Sequence, residues 1–336
     1  MPARIGIPGA LFYFTYYPFW RTFFEKLGAQ VITSGRTNKN MLDYGVREAL
    51  ADTCIPVKLY FGHVLSLKEK VDYLFVPRVV CLNGETTYCP KFLGLPDMIR
   101  HALTNIPPLI DIRLDIREGW GSLLHAYCEA GCILGANWRQ TAQAYWKAVS
   151  DWKRFNRLLQ SGWQPPEAIE ILANGAGHSF PQKSKTLQES KTGLTFAVLG
   201  YPYTIHDQYI SVGLLNKLRK MGIRPVTAEN LPPRRLTGEP YLLDKRLFWT
   251  FSELSYKAMQ YLLKQGKVDG IIHLTAFGCG PDAMLDKYME MLAAKYRTIP
   301  FMSLTIDEHS AQAGMTTRLE AFADMVRRKK GDVSRA

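Results

Sequence analysis

Short runs rich in β-branched and aromatic residues alternate along this chain with longer amphipathic stretches, and the alternation runs twice. "RIGIPGAL" reads as a strand, residues 16–27 as a helix and "AQVITSG" as a second strand. "VDYLFVPRVV", the helix "DMIRHALTNI" and the strand "PPLIDIRLDI" follow. From about 118 to 173 the period changes to long helix, rich in Ala and Trp, with Leu123, Leu124, Tyr127, Trp138, Tyr145, Trp152 and Phe155 as its apolar positions. "GAGHSFPQKSKTLQESKTG" (175–193) is polar and turn-rich, and reads as a linker. The rhythm then restarts with "LTFAVLGYP", "YISVGLLNKLRKMG", "RPVTAENL", "SELSYKAMQYLLKQG", "VDGIIHLTAFGCG" and "TIPFMSLTID". The pattern predicts an α/β protein of two lobes with mainly parallel, Rossmann-like sheets and a helical insert between them. The expected boundaries are 1–117, 118–192 and 193–336.

A chain of 336 residues, 47% hydrophobic, is long enough for two such cores. Charged residues, Pro or Gly interrupt every apolar run well before 18 residues, so no transmembrane helix is expected. The apolar start carries Pro8 and Pro18 and lacks a cleavage site of small residues, so a cytoplasmic protein is expected. The net charge of +12 fits anionic ligands or an acidic partner, with part of the excess in the solvated tail "MVRRKKGDVSRA". No finger spacing, RNP-type aromatic motif or helix-turn-helix signature accompanies that charge, so nucleic acid is not an expected partner. Neither GxxxxGK(S/T) nor GxGxxG is present, so the chain is not expected to bind ATP itself.

The chemistry-bearing residues are six cysteines. Cys54 in "DTCIPVK", Cys89 in "TYCPK" and Cys279 in "FGCGPD" each stand beside proline, directly or after one residue. Proline stiffens such a turn, and glycine lets the chain approach a bulky ligand. Three thiols on rigid loops suit an iron–sulfur cluster, while isolated structural or nucleophilic cysteines are the competing reading. Cys81 and Cys279 follow expected strands, where α/β sheets place their ligands. Cys128 and Cys132 share one helix face. That spacing is compatible with joint ligation of a metal cluster and equally with two small buried hydrophobes.

"CIPVKLYFGHV" (54–64), "VDYLFVPR" (71–78), "CPKFLGLPD" (89–97), "LGYPYTIHD" (199–207), "FGCGPDA" (277–283) and "IDEHSAQAGMTTRLEAF" (306–322) together carry a resemblance covering most of the chain. It resembles the uncharacterised domain associated with CoA-substrate-specific enzyme activases. That family is related to the cluster subunits of 2-hydroxyacyl-CoA dehydratases and benzoyl-CoA reductases, and to double-cubane cluster proteins. The resemblance implies that Cys54, Cys89 and Cys279 bind a 4Fe–4S cluster between the lobes of a homo- or heterodimeric protein. It implies an ATP-hydrolysing Fe–S activase as electron donor, a small-molecule substrate such as a CoA thioester, and an anaerobic setting. Cys81, Cys128 and Cys132 would bring the thiols to six, the ligand count of a double-cubane 8Fe–9S cluster. The function expected on this basis is reduction or dehydration of the substrate; an electron-relay subunit and a structural scaffold are the alternatives.

Candidate acid–base groups lie in the same motifs. Lys58 falls one helical turn after Cys54, where a cation would raise a cluster's potential, or is an ordinary surface lysine. His63 is a group supporting the site or a satisfied helix histidine. Glu308 and His309, with Asp307, Arg318 and Glu320, either do acid–base work or cap the last helix. Tyr203, His206 and Asp207 fall beyond another strand end.

Overall fold

The computed structural model describes residues 1–119, 121–174, 193–238, 242–243, 245–297, 299–309 and 312–333. The expected linker at 175–192 lies outside the described residues. The chain forms two compact units, the first of residues 1–158, 165–177 and 247–250, the second of 159–164, 178–246 and 251–336.

The first unit runs β1 (Arg4–Ile7), α1 (Tyr13–Lys26), β2 (Gln30–Thr33), α2 (Lys39–Glu48), α3 (Ile55–Leu67), β3 (Tyr73–Phe75), β4 (Arg78–Cys81), α4 (Pro90–Leu93), α5 (Leu95–Ala102), β5 (Leu109–Ile110), β6 (Arg113–Asp115), α6 (Ser122–Ile133), α7 (Trp138–Gln160, its last turn in the second unit) and α8 (Pro165–Ala173). Strands β2-β1-β3-β5 form a parallel sheet, and β4 pairs with β6 in a parallel extension. The run "VDYLFVPRVV" is split at Pro77, which has no N–H to give to a ladder. Leu74, Val76 and Arg78 still donate to Pro108, Ile110 and Ile112 at 2.9–3.0 Å, so β3–β4 and β5–β6 act as two long strands. The helices after residue 122 pack on α1 through aromatic contacts. Tyr127 meets Phe19 and Phe23 with centroids 4.9 Å apart, and Trp152 stacks on Tyr16.

The second unit runs β7 (Thr195–Gly200), α9 (Pro202–His206), α10 (Leu214–Lys220), β8 (Arg224–Thr227), α11 (Pro233–Thr237), α12 (Thr250–Gln265, its first residue in the first unit), β9 (Gly270–Ala276), α13 (Gly280–Tyr296), β10 (Phe301–Ile306) and α14 (Gln312–Val333). Its sheet is parallel throughout, in the order β10-β9-β7-β8. The central strands β7 and β9 are buried along their whole length, which is why both read as unbroken apolar runs. Gly200 ends β7 at φ +143°, where a Cβ would come within 2.4 Å of the Leu274 carbonyl, so only glycine fits.

The fold is therefore α/β with parallel, Rossmann-like sheets. In each unit the chain first builds outward on one side of the starting strand and then on the other. The reversal falls between β1 and β3 and between β7 and β9, and such switch points open a crevice beyond the strands' carboxyl ends.

Candidate functional site

Cys54, Cys89 and Cys279 occupy one local arrangement three times. Each is the residue immediately before a helix, on α3, α4 and α13, with proline in the helix's first turn. Proline costs nothing there, because the first-turn N–H groups have no partner in the helix. A helix that leads into a parallel strand, or follows one, begins on the sheet's carboxyl side. All three cysteines therefore stand on the carboxyl side of their own sheet, where partial positive charge from the helix start favours a thiolate.

In the first unit two of these thiols are neighbours. Burial pushes both thiols up and a charge at Cys89 raises that of Cys54 further, while Lys91 offsets part of the rise at each. Lys91 directly follows "CP", and its ammonium donates to the Asp52 carbonyl at 3.4 Å, one loop over. The sequence reading passed over this lysine; its signal was adjacency to Cys89. Lys58 is buried on α3, one turn beyond Cys54.

The supports of this pair explain several quoted motifs. Helices α2 and α3 touch backbone to backbone, since a Cβ on Gly45 or Gly62 would lie 1.9 Å from the Lys58 or Met41 carbonyl. The loop before Cys89 turns on Asn83, whose Oδ1 accepts from the Glu85 and Thr86 N–H groups at 3.0 and 2.9 Å. Thr87 then pairs with residues 248–250, donating to Phe248 O at 3.1 Å and accepting from Thr250 N at 2.9 Å. Tyr88 and Phe92 clasp Phe12, and the Tyr88 and Tyr16 hydroxyls bond at 2.8 Å. Arg78 of "VDYLFVPR" forms a two-pronged pair with Asp97 of "CPKFLGLPD" and reaches Asp111 at 2.9 Å, fixing α5 to the sheet.

His63 is fully buried and spans two hydroxyls, Ser34 Oγ at 2.7 Å from Nδ1 and Thr37 Oγ1 at 2.9 Å from Nε2. Burial lowers its pKa to about 4, so it is a neutral structural bridge at physiological pH. Cys81 ends β4, buried, with Sγ 3.8 Å from Asn83 Oδ1. Cys128 and Cys132 share the outward face of α6. That helix runs back beside the sheet: its Tyr127 bonds Trp20 at 3.1 Å, and Trp20 rests on Phe75 of β3. These two thiols flank the sheet, whereas Cys54 and Cys89 stand beyond its carboxyl ends.

In the second unit Cys279 sits above a buried charge cluster that the sequence reading missed. His273, in the middle of β9, places Nδ1 2.6 Å from Asp286 and Nε2 3.2 Å from Asp282, which lies in the first turn of α13. Burial alone would lower a histidine's pKa; the two carboxylates outweigh it and raise it to about 9. His206, after β7, faces Glu229 at 3.3 Å. Burial raises a carboxyl, yet His206 and Thr227 hold that of Glu229 below its ordinary value. Asp207 accepts from the Tyr209 and Ile210 N–H groups and is a turn former, and Tyr203 packs on Phe251. Glu308 and His309 stand on the turn after β10, where the His309 N–H donates to Asp307 at 2.9 Å. Arg318 and Glu320 are exposed on α14.

A family model described as a CoA enzyme activase uncharacterised domain matches residues 4–231. The chain belongs to that family. The match includes every cysteine discussed except Cys279, and it stops short of Glu308 and His309. No curated protein matches. A solved sugar transporter from Clostridium phytofermentans is 11% identical over 98% of this chain and 94% of that one, with a TM-score of 0.17 that bears on neither fold nor function. Among the described residues no helix is long and apolar enough to cross a membrane, and no three His, Cys, Asp or Glu side chains converge as for a metal ion. Cys54 and Cys89, thiols on rigid turns at helix starts and adjacent beside a lysine, are donors that suit an iron–sulfur cluster in kind.

Proposed function

We propose that this chain is an iron–sulfur redox protein with Cys54, Cys89 and Cys279 as thiolate ligands. It takes low-potential electrons from an ATP-hydrolysing activase-type partner and reduces or dehydrates a small substrate, in the line of CoA thioesters. The observation that carries this reading is the threefold repetition of one arrangement, a cysteine before a helix with proline in its first turn. Membership of the family described as a CoA enzyme activase uncharacterised domain supplies the context. A bound cluster would supply a one-electron centre of low potential. Around it, Lys91 would offset thiolate charge and the helix starts would direct N–H groups toward it. ATP hydrolysis falls to the partner, since the chain carries no phosphate-cradling loop. A single 4Fe–4S cluster accords with Cys128 and Cys132 lying beside the sheet; a double cubane would need them together with Cys81.

A non-catalytic electron relay is the second reading. It is favoured by His63, whose ring nitrogens are both engaged by hydroxyls and so are not available for proton transfer. Iron and sulfide assays on anaerobically purified protein test the proposal, with Cys54→Ala, Cys89→Ala and Cys279→Ala each expected to lose most of the iron. Full iron in any one variant removes that residue from the set, and colourless, iron-free wild-type protein overturns the reading.

A further inference from the structure

One face of α2, the last turns of α3 and the loop before β5 enclose an open groove of about 680 Å³ in the first unit. That volume is in the range that holds a cofactor-sized ligand. Several groups in its wall are not used by the fold. Lys68 is half-buried and Lys70 exposed, and neither has an ion-pair partner among the described residues. The side chains of Asn40 and Thr104 line it without a hydrogen bond to any described residue. Arg47 is tied to Glu48 at 2.9 Å and lies over the Tyr44 ring, 5.2 Å from its centroid. Glu48 is thus neutralised within the wall, which leaves Glu69 against two lysines and a surplus of positive charge. The Tyr44 ring is 46% exposed and adds flat aromatic surface. Paired ammonium groups bind phosphate as point charges, and an exposed tyrosine face takes a stacked base. The groove is also linked to a candidate ligand thiol. Cys54 stands at the start of α3 and Ser66, in the groove wall, near its end, about 18 Å along the axis at 1.5 Å per residue. An extended pantetheine arm covers a span of that order.

We infer that this groove binds the nucleotide end of a CoA thioester, with its base against Tyr44 and its phosphates on Lys68 and Lys70. The pantetheine arm then runs along α3 and carries the thioester toward Cys54. The inference rests on the CoA-thioester substrate of the proposed function, and not on what the cysteines hold.

Calorimetric titration of full-length, anaerobically purified protein tests it, with acetyl-CoA and with adenosine 3′,5′-bisphosphate, which has the base and phosphate groups without the arm. Both should bind and compete for one site. Lys68→Gln/Lys70→Gln should weaken both about tenfold or more, the order of effect of losing a charge-assisted contact. Tyr44→Ala should weaken both about fivefold or more, as expected of a lost base stack. AMP, which lacks the 3′-phosphate, should bind about tenfold more weakly than the bisphosphate. Equal binding of AMP would mark a general nucleotide groove and overturn the CoA assignment. Undiminished affinity in the lysine variant overturns the site. Absence of binding by either compound does so too, while the iron assay judges the redox reading separately. Should the variants misfold, wild-type protein supplies the test: acetyl-CoA should slow acylation of the Lys68 and Lys70 amines by an active ester, and labelling at the ligand-free rate overturns the proposal.

Discussion

His63 and His273 are both fully buried, one in each unit, yet their surroundings drive them in opposite directions. His63 meets only hydroxyls, so desolvation decides and it stays neutral, with a pKa near 4. His273 stands between Asp282 and Asp286, so the carboxylates decide and it stays charged, with a pKa near 9. The first unit thus keeps its buried histidine neutral, below a site flanked by Lys91 and the Arg78–Asp97–Asp111 network. The other sets its cysteine over an ion cluster in the core. The same residue type in the same fold class takes the charge state its neighbours dictate.

The largest expected effect separates the two histidines by removal. His273→Gln leaves Asp282 buried without its cation, and both its carboxylate oxygens already lack a hydrogen-bond donor. Breaking one half of a buried ion pair costs about 3–5 kcal/mol. His63→Leu takes one hydrogen bond from each of two hydroxyls, of which Ser34 Oγ keeps the Gly9 N–H, a loss of about 1–3 kcal/mol. Denaturant unfolding of both variants checks the order, and an equal or reversed cost would break the comparison. Adding Asp282→Asn to His273→Gln should return part of the loss, because the stranded charge is then gone.

Two glycines extend the comparison to the backbone. Gly62→Ala would drive a methyl into the Met41 carbonyl at 1.9 Å and part α3 from α2, at the helix that carries Cys54. Gly200→Ala would meet the Leu274 carbonyl at 2.4 Å at a positive φ, beside the strand that leads to Cys279. Each should cost about 1–3 kcal/mol or more. Hydrogen exchange should localise the first to α2 and α3 and the second to β7 and β9. Wild-type exchange rates in those elements would contradict the close contacts.

How much of this was legible beforehand depends on the range of each interaction. Strands and helices were readable because their periodicity is local, and so was the shared position of Cys54, Cys89 and Cys279 beside prolines. Arg78 and Asp97 both lie in quoted motifs, yet their pairing comes only from β4 meeting α5. His273, Asp282 and Asp286 fit no single period, since one lies on a strand and two on the helix after it. The aromatic face of residues 127–155 was visible in sequence, while its partner, α1, was not. Pairing of Thr87 with residues 248–250 spans nearly half of the chain, and no local pattern announces it.

Titration gives the two units opposite slopes. An unfolded histidine binds its proton near pH 6.5. Native His63 resists protonation until about pH 4, so between about 6.5 and 4 the unfolded state holds more protons and falling pH destabilises the first unit. Native His273 keeps its proton up to about pH 9. Its contribution is complete below pH 6.5 and is lost as pH rises through 9, destabilising the second unit. Unit-resolved hydrogen exchange across pH 4–9 should show the two slopes cross. In His273→Gln the alkaline loss should vanish while the acid loss remains; an alkaline loss that survives the substitution would place its origin elsewhere.

The smallest effect concerns the rim. Lys91 is a half-buried cation that offsets part of the burial-driven rise in the pKa of both Cys54 and Cys89. Replacing Lys91 by Gln removes the charge, shortens the side chain by one atom and leaves the prolines and helix starts untouched. The thiolate fraction at Cys54 and Cys89 should then fall at fixed pH, slowing their alkylation about two- to fivefold, the size expected of one charge partly screened by water. Cys132, exposed on α6, should react at the wild-type rate and serves as the internal reference, read by mass spectrometry of the labelled peptides. The direction also holds for a loaded site, where loss of the cation would lower the reduction potential of an anionic cluster. If Cys132 changed rate along with Cys54 and Cys89, the cause would be a general change in the fold and not the lost charge; if none slowed, helix starts alone would set the thiols.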